Sequence, residues 1–98
     1  MSTDLLNDLL GRSLELHPQA AVRPEPFGAL VYHYGNRRLV FLQHADMVVV
    51  ARALSQHATL ADALEASGVD QRRWPAFAKA FESLINSDIV RERGTDER

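Results

Sequence analysis

The segment Gly28–Leu42, GALVYHYGNRRLVFL, constrains this chain more than any other. Two runs of apolar, β-branched and aromatic residues flank Gly35-Asn36, which is the pattern of a β-hairpin. A two-residue type II′ turn needs a positive φ at its first central position, and Gly35 suits it. With that turn, Tyr34 faces Arg37, His33 faces Arg38, Tyr32 faces Leu39, Val31 faces Val40 and Leu30 faces Phe41. Side chains alternate, so Leu30, Tyr32, Leu39 and Phe41 then share one face, and Val31, Val40 and Leu42 the other. A four-residue loop from Gly35 to Arg38 keeps the hairpin but shifts the pairs. A lone hairpin is only marginally stable in water, so the rest of the chain must cover it.

Ahead of the hairpin, Leu14–Arg23 is predicted to be one further strand, with Pro18 at an edge or near its start. Pro24-Glu25-Pro26 reads as a stiff connector, since each proline also restricts the residue before it. At the N-terminus, Leu5, Leu6, Leu9 and Leu10 fall at helical spacing, with Thr3 as a cap and Gly11 as a stop. Such a segment either docks on a partner or packs on its own domain.

Everything after Leu42 reads as helix. His44-Ala45-Asp46 opens the first, with Met47, Val50, Ala51 and Leu54 on one face. Val48 and Val49 add apolar surface on other sides, which suggests a central helix. A short second helix starts at Thr59 with Asp62 in a capping-box-like pair, turns Leu60 and Leu64 inward and stops at Gly68. The last spans about Arg72 to Ser87, with Pro75 in its first turn. Its core stripe is Trp74, Phe77, Ala78, Phe81, Leu84 and Ile85. Beside it runs a stripe of small residues, Ala76, Ala80, Ser83 and Ser87, which is either a by-product of helix propensity or a shallow groove. Ile89-Val90 can pack back on the domain, and Arg91–Arg98 reads as a charged, frayed tail. The element order is β-β-β-α-α-α, an α+β fold.

Composition narrows the function. A chain of 98 residues makes one domain and buries about 65% of its unfolded surface, enough for a core but not for a deep catalytic cavity as well. Cysteine is absent, which excludes disulfides, thiolate chemistry and an iron–sulfur cluster held by this chain. His17, His33, His44 and His57 lack ligand spacing, and no GxSxG, P-loop or GxGxxG occurs, so neither a metal, a cofactor nor a catalytic site is expected. Met1–Asp8 has no basic n-region, and the longest apolar run, Met47–Ala51, cannot span a bilayer. The expectation is a cytoplasmic protein without a membrane partner. The alternative is a winged-helix DNA-binding protein, with Arg72 and Arg73 near the start of a recognition helix and Arg37 and Arg38 at the hairpin tip. A net charge of −2 and a hairpin that precedes the helices argue against nucleic acid.

The stretch HPQAAVRPEPFGALVYHYGNRRLVFL, followed by helices ending in WPAFAKAFESL, resembles the MftB family of mycofactocin-biosynthesis peptide chaperones. That family belongs to the PqqD-like RiPP recognition elements, which are small winged-helix-like domains. The resemblance covers residues 14–90 and is strongest over Val22–Leu42, VRPEPFGALVYHYG above all. It divides the chain into an arm (1–13), a recognition domain (14–90) and a tail (91–98). It implies a three-stranded antiparallel sheet followed by three helices. It implies a non-catalytic activity: holding a ribosomally made precursor peptide and presenting it to a radical S-adenosylmethionine (SAM) enzyme that owns the cluster. In related elements the peptide adds a strand beside the third strand and packs on the third helix. Carried onto this chain, the binding residues are Arg38, Leu39, Val40, Phe41 and Leu42 on the strand, with Phe77, Ala80, Phe81, Ser83 and Leu84 on the helix. The small stripe borders that cleft.

Overall fold

The structure, a computed structural model, describes residues 7–93. Residues 7–10 are helical (α1), and the chain continues through β1 (Leu14–Leu16), β2 (Ala20–Glu25), β3 (Gly28–His33) and β4 (Leu39–Leu42). Then come α2 (Ala45–Ala53), α3 (Leu60–Ala66), α4 (Trp74–Asn86) and β5 (Val90–Glu92). The fold is α+β, with a three-stranded antiparallel sheet in the order β2-β3-β4 and a separate ribbon of β1 and β5.

This order departs from three strands followed by three helices. The expected strand Leu14–Arg23 is two strands in two sheets. Pro18-Gln19 forms a turn between them, closed by Ala20 N–H donating to His17 C=O at 2.9 Å. The connector Pro24-Glu25-Pro26 is also corrected, because Pro24 and Glu25 belong to β2. Ile89 and Val90 pack back as expected, both fully buried, and the tail is corrected in its first part, where Arg91 and Glu92 pair with Glu15 and Leu14. Arg93 extends that ribbon, its N–H donating to Ser13 C=O at 2.8 Å and its guanidinium to the carbonyl of Ser55 at 2.8 Å. Of the N-terminal segment, Leu9 joins the core and Leu10 packs against it, while Thr3, Leu5 and Leu6 lie outside the described residues.

The hairpin has the expected register, Leu30↔Phe41, Val31↔Val40 and Tyr32↔Leu39. Its turn is different. His33 N–H donates to Arg38 C=O at 2.9 Å and Arg37 N–H to His33 C=O at 2.7 Å, so the loop is the four residues Tyr34–Arg37. The left-handed residue is Arg37, at φ 64°, and not Gly35. Glycine at 35 answers to space instead: a Cβ there would stand 2.8 Å from the His33 ring. Asn36 Oδ1 accepts from Arg38 N–H at 2.9 Å, which braces the loop from inside.

The sheet's inner face, Ala29, Val31, His33 and Leu42, is buried against the helices. Helix α2 contributes Met47, Val50 and Ala51, α3 contributes Leu60, Ala63 and Leu64, and α4 contributes Phe77, Ala78, Phe81 and Leu84. Burying one such large apolar side chain is worth about 1.5–3 kcal/mol. Val49 remains 52% exposed, so α2 is one-sided and not enclosed. Both later helices end in Schellman motifs. At α3, Gly68 N–H donates to Glu65 C=O and Val69 N–H to Leu64 C=O, each at 3.0 Å. At α4, Asp88 N–H donates to Ile85 C=O and Ile89 N–H to Leu84 C=O, each at 2.9 Å. There the left-handed residue is Asp88, at φ 64°, where glycine is the usual occupant. Residues 71–73 form a 3₁₀ turn capped by Asp70, which moves the start of α4 to Trp74.

Candidate functional site: a cleft at the open edge of the sheet

The strand order leaves β4 as an edge. Opposed residues in an antiparallel ladder alternate between hydrogen-bonded and non-bonded pairs. The bond from His33 N–H to Arg38 C=O sets the phase. Val40 and Leu42 therefore turn their N–H and C=O inward to β3, and Leu39 and Phe41 turn theirs outward. Beside this edge lies an open cleft of about 260 Å³. Val40, Phe41 and Leu42 form its strand side, and Ala80, Ser83 and Leu84 of α4 the opposite side. Gln43, His44 and Met47 close one end.

Six of the ten residues singled out from sequence thus line one cleft. Leu39 and Arg38 do not: both are exposed, and Leu39 points to the sheet's outer face. Phe77 and Phe81 are core residues, 5% and 0% exposed. Within the small stripe, Ala80 and Ser83 line the cleft, while Ala76 and Ser87 do not. Sequence reasoning missed Gln43, which carries no pattern beyond following a strand, took His44 only as the opening of a helix and took Met47 as core alone.

At the far end of α4 a polar knot joins the hairpin to the helix. Asp88 Oδ2 lies 3.3 Å from His33 Nε2 and 3.7 Å from His17 Nε2. The two imidazole centroids are 4.3 Å apart, and His33 is 2% exposed. His33 Nδ1 accepts from Gly35 N–H at 2.9 Å and Asn36 N–H at 3.1 Å, and His17 Nδ1 accepts from Gln19 N–H at 3.0 Å. Asn36 Nδ2 donates to Ser87 C=O at 3.2 Å, a second tie between loop and helix end. The three side chains could form a metal-ligand cluster by distance, with donor atoms within 4.8 Å. The hydrogen bonds argue otherwise. An imidazole whose Nδ1 accepts carries its proton on Nε2 when neutral, so both Nε2 atoms hold N–H groups near the carboxylate, that of His33 buried and without a hydrogen-bond partner among the described residues, and offer no lone pair to a cation. The donor set fits a structural clasp.

Charge around the cleft is uneven. Arg37 and Arg38 are exposed at the hairpin tip, and no ion pair reaches either among the described residues. Arg73 is committed, 2.9 Å from Asp46 and over the Phe77 ring at 5.1 Å, and Arg72 lies 3.7 Å from Asp70. No helix among the described residues is long and apolar enough to cross a membrane.

The family model described as "Peptide chaperone MftB family" matches residues 13–91, which hold the whole sheet, the cleft and the clasp. The chain belongs to the MftB peptide-chaperone family. Among its relatives, the peptide chaperone MftB of Mycobacterium ulcerans is 40% identical over 86 residues, 88% of this chain and 79% of that protein. The MftB protein of Mycobacterium tuberculosis is 39% identical over 84 residues, 86% of this chain and 77% of the relative. That of Mycolicibacterium smegmatis is 42% identical over 78 residues, 80% and 76% of the two chains. No solved structure matches the chain.

Proposed function

We propose that this protein holds a ribosomally made precursor peptide as an extra strand on β4 and presents it to a radical SAM enzyme in mycofactocin biosynthesis. It acts in the cytoplasm as a winged-helix-like recognition element, without catalysis, cofactor, nucleic acid or membrane. The observation that carries this reading is the juxtaposition of outward backbone groups at Leu39 and Phe41, unpaired among the described residues, with an apolar cleft against α4. An extended peptide gains main-chain hydrogen bonds from such an edge, and its alternate side chains enter the cleft. Val40, Leu42, Ala80, Ser83 and Leu84 form the walls, and Phe41 borders the cleft from the strand edge with its ring on the outer face. Leu39 contributes backbone, Arg38 contributes charge beside the strand, and Phe77 and Phe81 support α4 from the core. Family membership supplies the peptide, since the relatives are named as peptide chaperones.

The test is a titration with a fluorescent synthetic precursor peptide. Ala80→Trp and Ser83→Trp fill the cleft from a helix surface whose core residues are unchanged. Each variant is expected to stay folded and to bind the peptide at least about tenfold more weakly, because a strand must lie close to the helix. Duplex DNA added to the wild-type protein is expected to show only a salt-sensitive background. Two folded variants that bind like wild type would remove the peptide from this cleft.

A further inference from the structure

The two ends of the cleft carry different charge. The bond from His33 N–H to Arg38 C=O continues the hairpin register by one pair, and opposed residues share a face. Arg38 therefore stands in one row with Val40 and Leu42, on the cleft side of β4 and next to the hairpin tip. Arg38 and its neighbour Arg37 are exposed, and neither has an ion-pair partner among the described residues. The carboxylate at this end, Asp88, already lies against His33 and His17. At the other end, Asp46 in the first turn of α2 is 2.9 Å from Arg73. Among the described residues, none that lines the cleft is acidic.

Backbone geometry turns Arg38 into a reader of side chains. Its N–H donates to Asn36 Oδ1 at 2.9 Å and its C=O accepts from His33 N–H, so neither group faces the open edge. Val40 and Leu42 likewise bond inward to β3. Antiparallel pairing is the rule of this sheet and is the more stable per residue. A strand added antiparallel to β4 bonds at Leu39 and Phe41 and meets Arg38, Val40 and Leu42 in non-bonded pairs, where side chains stand closest. An arginine in such a pair favours a carboxylate opposite it and disfavours a cation.

We infer that Arg38 selects an acidic residue of the bound peptide and so fixes the peptide's register and direction. The inference rests on the proposed function. Cleft-facing positions recur at every second residue. The segment that fits reads apolar, any, apolar, any, acidic from its N-terminal side. Its apolar pair lies opposite Leu42 and Val40, and its Asp or Glu lies opposite Arg38. A slip by two residues sets an apolar side chain or open solvent against the guanidinium. Reversal carries the carboxylate away from both Arg37 and Arg38. Charge pairing of this kind acts on specificity more than on final affinity.

The test is a double-mutant cycle between the protein and the fluorescent synthetic precursor peptide. Arg38→Gln is expected to keep the wild-type circular dichroism spectrum, because the loop bonds of this residue are made by its backbone. It is expected to weaken peptide binding about two- to fivefold. Arg38→Glu is expected to weaken it at least about tenfold at low salt and less at high salt. Arg23→Glu, the same charge reversal on the outer face, is expected to bind within about twofold of wild type. Each Asp or Glu of the peptide is then changed singly to its amide. One such change is expected to weaken binding to wild type and to add nothing in Arg38→Gln, and Lys at that peptide position is expected to restore binding to Arg38→Glu. Additive losses at every peptide position, or equal defects in Arg38→Glu and Arg23→Glu, would overturn the inference and leave the peptide on β4. Duplex DNA that displaces the peptide from wild type but not from Arg38→Gln would assign the arginine to phosphate and overturn it too. Failure of wild type to bind the peptide would instead overturn the proposed function itself.

Discussion

Strands β2 and β4 are the two edges of one small sheet, yet they present different backbones to the outside. On β2 the outward positions are Ala20, Val22 and Pro24, by the alternation that Tyr34 N–H donating to Gln19 C=O sets. Ala20 N–H is spent on His17 C=O, and Pro24 has none to offer. Among the described residues, Val22 is the outward position of β2 that keeps a free donor. On β4 the outward N–H groups of Leu39 and Phe41 have no partner among the described residues, and a cleft runs alongside. Unprotected edges invite strand addition, and proteins blunt them with proline and charge. Here one edge is blunted and the other is left open beside the helix that carries the small stripe.

The strongest way to break that comparison is to move a proline along β4. Val40→Pro removes an inward donor to Val31, and the ladder carbonyl left without its donor costs about 1–3 kcal/mol. The expected result is a weakened hairpin, seen as a lower melting temperature by circular dichroism. Phe41→Pro removes an outward donor and leaves the bonds to β3 in place. The protein is expected to fold but to bind the peptide about 10–100-fold more weakly, because a buried peptide carbonyl loses its donor, a penalty of about 1–3 kcal/mol. Equal peptide binding by folded Phe41→Pro and wild type would rule out strand addition at this edge.

How much of this contrast is legible in the sequence follows from the range of each interaction. The hairpin register is a local matter of alternating side chains, so Val31, Val40 and Leu42 could be assigned to one face without coordinates. The turn could not, because Gly35 is required by the His33 ring, which folds back over the loop, and Arg37 takes the positive φ that a glycine suggests. Six cleft residues were reached by carrying the family resemblance onto this chain, and periodicity alone marked only the small stripe of Ala76, Ala80, Ser83 and Ser87 beside them. Strand β5 escaped and β1 was merged with β2, because three-residue strands have too few positions to show a period and the two partners lie at opposite ends of the chain. Pro24 looked like a connector because propensity penalises it in any strand; only the pairing with Ala29 shows that its missing N–H faces out. The clasp of His17, His33 and Asp88 had no signal, since its members are far apart in sequence.

The clasp sharpens the comparison by asking what holds the open edge at its distance from α4. His33→Leu leaves the N–H groups of Gly35 and Asn36 without their acceptor and removes the imidazole nearest to Asp88. The expected loss is about 1–3 kcal/mol of stability, a fall of several degrees in melting temperature for a domain of this size. Peptide affinity is expected to drop by a smaller factor than in Phe41→Pro, because the edge keeps its donors and only its position relative to the helix changes. A metal titration should leave wild-type melting unchanged. A clear rise in melting temperature with zinc would show that Nε2 of His33 can give up its proton and that the tautomer assignment is wrong.

The smallest expected effect comes from unblunting the other edge. Pro24→Thr restores an outward N–H on β2 at a position whose side chain is exposed, and threonine suits a strand. Because Pro24 lies in a non-bonded pair with Ala29, no ladder bond to β3 is gained or lost, and stability should change by less than about 0.5 kcal/mol. The peptide should still bind once, within about twofold of wild type, because the cleft against α4 lies at β4 and not at β2. The measurable change should be in self-association at high concentration, where two β2 edges could pair through the donor at Val22 and the one restored by the substitution. A second, equal peptide site in this variant would mean that a free edge alone suffices for recognition, and that the cleft against α4 adds nothing. A single site with unchanged affinity would assign recognition to edge and cleft acting together.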